Sequence, residues 1–344
     1  MKFLQNTFLA TAVFAASGAF AQSSNEQPYK TQNFSGNYNN VRVQTSGGSI
    51  TVEGSQNSGA KVEMYVRANN GNDRLSQSEL EDRLRDYDIS ITTEGNTVVA
   101  TAKRHQNNQD WKRSVSIAFK VFVPRTIATD LKTSGGSIRI SHLNGQQNFQ
   151  TSGGSLHLVD IEGTVRGRTS GGSIHLDDCR KDIELTTSGG SIHAKNSSGD
   201  LRLKTSGGSI HLQDLKGMIQ ARTSGGSVNV DGADGELMAS TSGGSIRLRD
   251  ITGSIRAETS AGGIDADIRK LGEFLRLSTS AGSVRVNLPM DKGMDIELRG
   301  NRVATGALRS FDGTMEKDHV RGRLNGGGVP VQISAGSGNV YVNQ

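Results

Sequence analysis

Histidine recurs at a fixed interval through the middle of the chain. Four of the seven histidines, His157, His175, His193 and His211, are separated by the same 18-residue interval. If these residues stack in the folded chain, neighbouring rings lie about 5 Å apart, close enough to share a zinc or nickel ion or to gain charge together as pH falls. The alternative is a solvated row of side chains, because a straight row does not converge on one metal ion.

Basic residues form a second set with the same interval. Arg166, Arg168, Arg202, Lys204, Arg222, Arg256 and Arg276 occupy two outward positions of the repeat, where Glu184 and Glu258 are the opposing charges. Such a face could bind an anionic glycan, lipopolysaccharide phosphate or teichoic acid through contacts that salt weakens. Alternatively, it only keeps a sheet face soluble. No aromatic residues interleave with the arginines, so a nucleic acid is not expected as a partner.

A third recurrent set is acidic. Asp160, Asp178, Asp214 and Asp250 share one repeat position, which Asn196 and Gly232 interrupt. The glycine-rich nonapeptides that bind calcium need glycines in both halves of an 18-residue pair, and here the second half lacks them. We therefore predict turn residues rather than a calcium site. No nucleophile elbow accompanies the abundant serines, so no catalytic residue and no cofactor are predicted.

These side chains belong to a repeat that opens with Thr-Ser-Gly-Gly-Ser. Its threonines keep the 18-residue interval except before the ninth, where the interval is slightly longer; they are Thr133, Thr151, Thr169, Thr187, Thr205, Thr223, Thr241, Thr259 and Thr279. Register this strict predicts that each unit occupies an equivalent place in a stacked structure. The glycines are expected at a sharp corner, and the threonines are expected to form a hydrogen-bonded ladder there.

Apolar residues fall at positions six, eight, fifteen and seventeen of the unit, counted from the threonine. Ile174, Leu176, Ile183 and Leu185 illustrate the pattern. Spacing by two is typical of strands, and the parity changes twice in each unit, near the glycines and between positions eight and fifteen. We predict an all-β parallel β-solenoid (β-helix) with two short strands per 18-residue coil and parallel, in-register sheets.

The regions outside this repeat follow different patterns. The predicted organisation is a signal peptide at 1–21, a lead at 22–44, a strand-rich antiparallel cap at 45–132, the repeat at 133–288, and degenerate coils with a cap at 289–344. Capping-box spacing of Ser76 and Glu79 predicts a helix near 77–86 within the first cap. A degenerate corner at residues 333–337, followed by Val340 and Val342, is expected to close the other end.

The start of the chain and its composition bear on location and stability. Lys2, an apolar alanine-rich run and the small-residue ending at Ala21 are typical of a secretory signal peptide. That run is too short to span a bilayer comfortably, and no other run in the sequence approaches the length needed. We therefore expect a protein of the periplasm or the cell surface, or a secreted one. With 44 Gly, 5% aromatic residues and Cys179 as its one cysteine, stability must come from repeated small layers, and a buried, inert thiol is expected.

A resemblance to a known family starts at the entry to the repeat. Phe122-Val123-Pro124, followed by the run from Ala128 to Ile138, resembles the β-strand-repeat domain of a bacterial family of unknown function called putative adhesins, over about Val41 to Asn343. The resemblance implies a β-solenoid at the cell envelope and supplies no catalytic residue.

These observations favour an exported, non-enzymatic envelope protein that acts in adhesion or in binding an anionic glycan. Two alternatives stay open: an envelope-stress or scaffold protein whose partner is another protein, and a polysaccharide lyase or hydrolase. The enzyme would need a cleft with converging carboxylates, for which the regular repeat offers no inserted loop.

Overall fold

The computed structural model describes residues 27–69, 76–105 and 113–344. The predicted signal peptide lies outside the described residues. The described chain contains 26 strands in one hydrogen-bonded network and one helix, so the prediction of a nearly all-β protein with a short helix is confirmed. That helix is too short to cross a membrane, and no described helix could do so.

The first part of the chain contains seven strands and the helix. Their bounds are β1 Lys30–Phe34, β2 Asn40–Thr45, β3 Ile50–Gln56, β4 Ala60–Ala68, α1 Gln77–Leu84, β5 Tyr87–Glu94, β6 Thr97–Arg104 and β7 Val115–Pro124. Helix α1 begins after Ser76, whose hydroxyl accepts from the Glu79 backbone N–H while the Glu79 carboxylate accepts from the Ser76 N–H. The predicted capping box is therefore present, and it fixes the start of the helix.

The repeat supplies the middle strands, and six more follow it. The repeat strands are β8 Ala128–Thr133, β9 Ile138–Asn144, β10 Gln147–Gln150, β11 Leu156–Glu162, β12 Val165–Arg168, β13 Ile174–Thr186, β14 Ile192–Lys195, β15 Ser198–Lys204, β16 Ile210–Arg222, β17 Val228–Thr241, β18 Ile246–Thr259, β19 Ile264–Thr279 and β20 Val284–Asn287. The remaining strands are β21 Met294–Arg299, β22 Arg302–Thr305, β23 Phe311–Met315, β24 His319–Leu324, β25 Val329–Ala335 and β26 Asn339–Asn343.

Equivalent residues of successive units pair in parallel. His157 lies opposite His175 in the β11–β13 ladder, and Val165 lies opposite Ile183 in the β12–β13 ladder, so each residue pairs with its equivalent in the next unit. Strand spacing of about 4.8 Å therefore separates one coil from the next. Side chains at positions six, eight, fifteen and seventeen point inward, as the alternation predicts, and Leu201 and Ile219 are completely buried.

Each coil bends where two residues have a left-handed backbone. Position ten has φ near +50° at Asp160, Asp178 and Asn196, and Gly232 has φ +80° at the same place. Position thirteen also has positive φ; it is glycine in most coils and Lys181 in one. In several coils the two predicted strands run on through this bend as one, as in β16 and β17.

The corner of each coil requires the second glycine of the pair but not the first. A Cβ at Gly190 would lie 2.1 Å from the carbonyl oxygen of Gly172 in the coil below, whereas a Cβ at Gly189 would make only ordinary contacts at 3.5 Å or more. Neither residue has a left-handed φ. The close backbone approach expected at the glycine corner therefore involves the second glycine, and Ala261 occupies the first place in a later coil.

The predicted threonine ladder holds this corner together. Thr205 Oγ1 donates to the Gly190 carbonyl oxygen at 2.7 Å and accepts from the Gly208 N–H at 3.3 Å. The serine at position five adds a second ladder, since the Ser209 N–H donates to Ser191 Oγ at 3.2 Å. These bonds pair buried polar groups that would otherwise cost about 1–3 kcal/mol each.

The first coil of the stack comes earlier in the chain than predicted. Strands β2 and β3 flank a further Thr-Ser-Gly-Gly-Ser at residues 45–49, and they pair in parallel with β8 and β9. The Thr133 hydroxyl donates to the Gly48 carbonyl oxygen. The region predicted as an antiparallel cap therefore contains a regular coil, separated from the next one by an inserted segment.

The insertion turns back to make the end coil. Strands β6 and β7 pair in parallel with β2 and β3, and their outer edges pair antiparallel with β5 and β4. The other end follows the same plan: β25 and β26 lie between the last repeat coil and an end coil made of β21 and β22. The degenerate corner near residue 335 therefore belongs to the second coil from that end, and β24 pairs antiparallel with β21 of the end coil.

Candidate functional site

The basic residues predicted as a ligand-binding face lie on one sheet, in two outward columns at positions sixteen and eighteen. We call this surface the basic stripe: Arg166, Arg168, Arg202, Lys204, Arg222, Arg256 and Arg276. Their neighbours at fifteen and seventeen point into the core, which fixes the outward direction. From Arg166 to Arg276 the stripe rises by six coils, or about 29 Å at the strand spacing.

Carboxylates are scarce along the stripe. Glu184 and Glu258 interrupt the two columns, as the sequence predicts, and Gln220 and Met238 occupy two further places in the position-sixteen column. Arg202 pairs with Asp200 at 2.5 Å, and Arg222 donates to Ser240 at 3.2 Å. Within residues 113–344, Arg166, Arg168, Lys204 and Arg256 have no carboxylate within ion-pair distance. The stripe therefore keeps most of its positive charge uncompensated.

At the bend between positions nine and fourteen several cations contact aspartates, although within the described residues Lys216, Arg249 and Lys270 do not. Arg125 contacts Asp160 at 2.7 Å, Arg180 contacts Asp178 at 2.7 Å, and Lys195 contacts Asp177 at 3.1 Å. The Arg125 guanidinium and the His142 ring lower the pKa of the Asp160 carboxyl. The recurrent aspartates thus adopt the left-handed backbone of the turn, and Asp160, Asp178 and Asp250 also contact neighbouring cations.

The four histidines of the predicted column stack ring over ring. Centroid distances are 4.9, 5.1 and 4.9 Å, and the planes of neighbouring rings differ by 5–9°. Burial lowers the pKa of His157 from 6.5 to about 4, with smaller contributions from Arg139 and His175, and it lowers the pKa of His175 and His193 as well. The rings of His157, His175 and His193 are therefore neutral at neutral pH.

The parallel stack does not gather the rings around one point. Nitrogens of parallel rings stay about one strand spacing apart, whereas a zinc ion needs each ligand nitrogen at about 2.0–2.1 Å. In the described residues there is no group of three or more histidine, cysteine, aspartate or glutamate side chains that could hold a metal ion. The four histidines predicted as metal ligands therefore lie in a row rather than around a common point.

A groove runs beside the histidine column. Its volume is about 1040 Å³, and its walls are the side chains of positions seven and nine, with the backbone of position eight between them. The sequence reasoning identified the histidine wall and missed the other, which consists of Val159, Asp177, Lys195, Gln213, Asp231 and Arg249. The signal was present in the parity, because positions seven and nine must face the same way.

Cys179 is buried in the core. Burial raises the pKa of its thiol to about 12. The predicted inert thiol is consistent with this position, since neither the thiolate form nor access for an oxidant is available.

Three solved structures align along most of this chain at low similarity. A "putative cell adhesion protein" from Clostridium sporogenes has 9% identity and a TM-score of 0.18, and covers 92% of this chain with 100% of its own. "Putative adhesins" from Bacteroides fragilis and Parabacteroides distasonis have 14% and 11% identity, TM-scores of 0.29 and 0.32, and the same 92% coverage with 99% and 96% of their own chains. Identities and TM-scores this low leave function to be argued from the residues of this chain.

The family assignment comes from the sequence itself. No curated protein matches the chain. The family model described as Toastrack DUF4097 matches residues 89–343, from β5 to the last strand. Since this match spans well over half of the chain, the protein belongs to the Toastrack DUF4097 family.

Proposed function

We propose that the protein is an exported, non-enzymatic component of the cell envelope whose stacked coils form a β-solenoid rod that binds an extended anionic polymer along the basic stripe. The observation that carries this proposal is the clustering of unpaired cations on one flat sheet face. Among the described residues, Arg166, Arg168, Lys204 and Arg256 on that face have no carboxylate within ion-pair distance, whereas Arg125, Arg180, Lys195 and Arg269 at the bend each contact an aspartate.

The stripe suits a polymer better than a small anion. A single solvent-exposed ion pair contributes about 0–1 kcal/mol, so one phosphate or carboxylate would bind weakly. Seven cations on a stiff face over about 29 Å let one polymer make several such contacts at once, and each later contact is intramolecular. An adhesive role in the envelope follows from this multivalency, since the rod gains affinity only from long, repetitive partners.

The charge pattern gives no support to a lyase or hydrolase at the stripe. Its two carboxylates, Glu184 and Glu258, lie four coils apart, or about 19 Å at the strand spacing. Paired catalytic carboxylates in glycoside hydrolases lie about 5–9.5 Å apart. The stripe thus has groups for holding an anionic chain and lacks a matched acid and base for cleaving it.

The test compares two sets of substitutions with equal charge change. One variant carries Arg166→Gln, Arg168→Gln, Lys204→Gln and Arg222→Gln on the stripe. The control carries Arg125→Gln, Arg180→Gln, Lys195→Gln and Arg269→Gln at the bend, where each cation already contacts an aspartate. Binding of long polygalacturonate is measured by calorimetry at rising salt, with dextran as the uncharged comparison.

We expect the wild type to bind polygalacturonate, to lose affinity steadily as salt rises, and not to bind dextran through the stripe. The stripe variant should lose at least about tenfold in affinity, because several ion pairs are removed together. The control should bind as the wild type does. An equal loss in both variants, or binding that salt does not change, contradicts the proposal.

A further inference from the structure

The groove beside the histidine column differs from the basic stripe in charge. Its position-seven wall holds the four histidines, then Asn229 and Arg247. Its position-nine wall alternates between Asp177 and Lys195, then Asp231 and Arg249, with Val159 and Gln213 uncharged. Positive and negative side chains are therefore nearly balanced along the groove. The groove should therefore attract an anionic polymer less strongly than the basic stripe does.

The exposed parts of the histidine rings are their edges. Because each ring covers the face of the next at about 5 Å, the faces are occupied and only the ring edges remain free to line the groove. A neutral imidazole has one nitrogen that donates and one that accepts a hydrogen bond. Within residues 113–344, the rings of His157, His175 and His193 have no hydrogen-bond partner, and His211 has only a 3.5 Å contact to Asn229.

The spacing of these groups is set by the coils. Six successive position-seven residues, from His157 to Arg247, rise over about 24 Å at one strand spacing per step. Amide, carboxylate, guanidinium and imidazole groups on the two walls are suited to hydrogen bonds with neighbouring hydroxyls. An extended β-1,4-linked pyranose chain carries hydroxyls on every sugar ring, with the same edge facing the groove at every second ring, and one ring is close in length to the spacing between strands.

We propose that this groove binds a segment of an uncharged, extended β-linked polysaccharide lying along the rod axis, with about one sugar per coil. The balanced charge of the walls, the unpartnered ring edges and the match in period all favour this ligand over an anionic one. At about 1040 Å³ the groove is larger than the concavity of about 370 Å³ on the basic stripe around Arg166 and Arg168. It is separate from the stripe, so the inference does not depend on the function proposed above.

The experiment titrates the full mature chain with a cello-oligosaccharide series from the dimer to the hexamer, using NMR or calorimetry at high salt. The malto-oligosaccharide series, which is α-linked and coils, is the matched comparison. One variant carries His175→Ala and His193→Ala. A conservative variant carries His193→Asn, copying the natural residue Asn229 further along the column. Gln220→Ala on the stripe is the control.

We expect affinity to rise with length through the cello series and to be weak for the malto series. The double alanine variant should lose about tenfold or more, since two hydrogen-bonding edges are removed. His193→Asn and Gln220→Ala should keep the wild-type affinity. High salt should leave these values unchanged, which separates this site from the salt-sensitive stripe.

Several results would overturn the inference. One is equal affinity for both sugar series; another is wild-type affinity in the double alanine variant. Self-association of the wild type that the alanine variant abolishes would identify a second copy of the chain as the occupant instead. Absence of binding to every member of the cello series would equally reject it, whatever the outcome with polygalacturonate.

Discussion

The two glycines of one corner should respond very differently to alanine. A Cβ at Gly190 would lie 2.1 Å from the Gly172 carbonyl oxygen and 2.6 Å from the Ser173 nitrogen, and both obstacles are backbone. Ordinary contact begins at 3.4 Å, so the coils must part at that corner until the 2.1 Å approach has widened to at least 3.4 Å. The hydrogen bond from the Gly189 N–H to the Ser170 carbonyl oxygen, 2.8 Å long, cannot survive such a separation.

The size of the effect follows from the groups left unpaired. Opening the corner also stretches the bond from Thr187 Oγ1 to the Gly172 carbonyl oxygen, which is 2.7 Å long. Each buried polar group that loses its partner costs about 1–3 kcal/mol, so Gly190→Ala should lower the free energy of unfolding by about 3 kcal/mol or more. Gly189→Ala meets only ordinary contacts and should be neutral or stabilise by up to about 1 kcal/mol, because alanine restricts the unfolded chain.

The assay is urea unfolding of the two variants and the wild type, followed by circular dichroism of the strands. Because stacked repeats need not unfold in one step, the midpoints and hydrogen exchange at the altered coil are compared rather than a single extrapolated free energy. Equal midpoints for Gly189→Ala and Gly190→Ala, or a greater loss at Gly189, would refute the reasoning that close backbone approach selects the second glycine.

Three further predictions follow from the core, the corner and the histidine column. Gly167→Ala should be destabilising because its Cβ would lie 2.1 Å from the Phe149 ring, and Phe149→Leu in the same chain should restore much of the loss; a double-mutant cycle by urea unfolding measures this coupling. Thr205→Val should lower the free energy of unfolding by about 1–3 kcal/mol, because buried groups at the corner lose their hydrogen-bond partner, and Thr205→Ser should lower it less. Equal thermal midpoints for the two variants would contradict the hydrogen-bonded ladder. Folding lowers the pKa of His157 from 6.5 to about 4, so between these pH values the unfolded chain binds a proton that the folded chain does not. The free energy of unfolding should therefore fall as pH drops from 6.5 to about 4. His157→Asn should flatten this dependence, which urea midpoints measured across the range would show.

Much of each coil was readable from one repeat unit. Alternation at positions six and eight, and again at fifteen and seventeen, predicted the inward faces, and these residues are buried. The threonine ladder and the aspartate turns also followed from local chemistry. The stack of histidine rings followed from the interval alone, since parallel pairing in register sets like residues over like.

Other features of the site could not be read from the repeat. Which cations stay unpaired depends on neighbours in adjacent strands; Lys195, for example, contacts Asp177 from the coil below. The second wall of the groove needed the two columns to be seen side by side. Only the packing of Phe149 over Gly167 explains why one coil has a glycine at an inward position.

The sequence by itself determined the coil: its length, its inward and outward faces, and the residues at its corner. These are local properties, fixed by strand alternation and by the turn conformations that glycine, asparagine and aspartate allow. The tertiary structure decided the order of the stack, in which residues 40–56 lie beneath the coil that begins at Thr133 and the last strands lie inside an end coil. Those placements depend on contacts between segments far apart in the chain, where no periodic pattern specifies the partner.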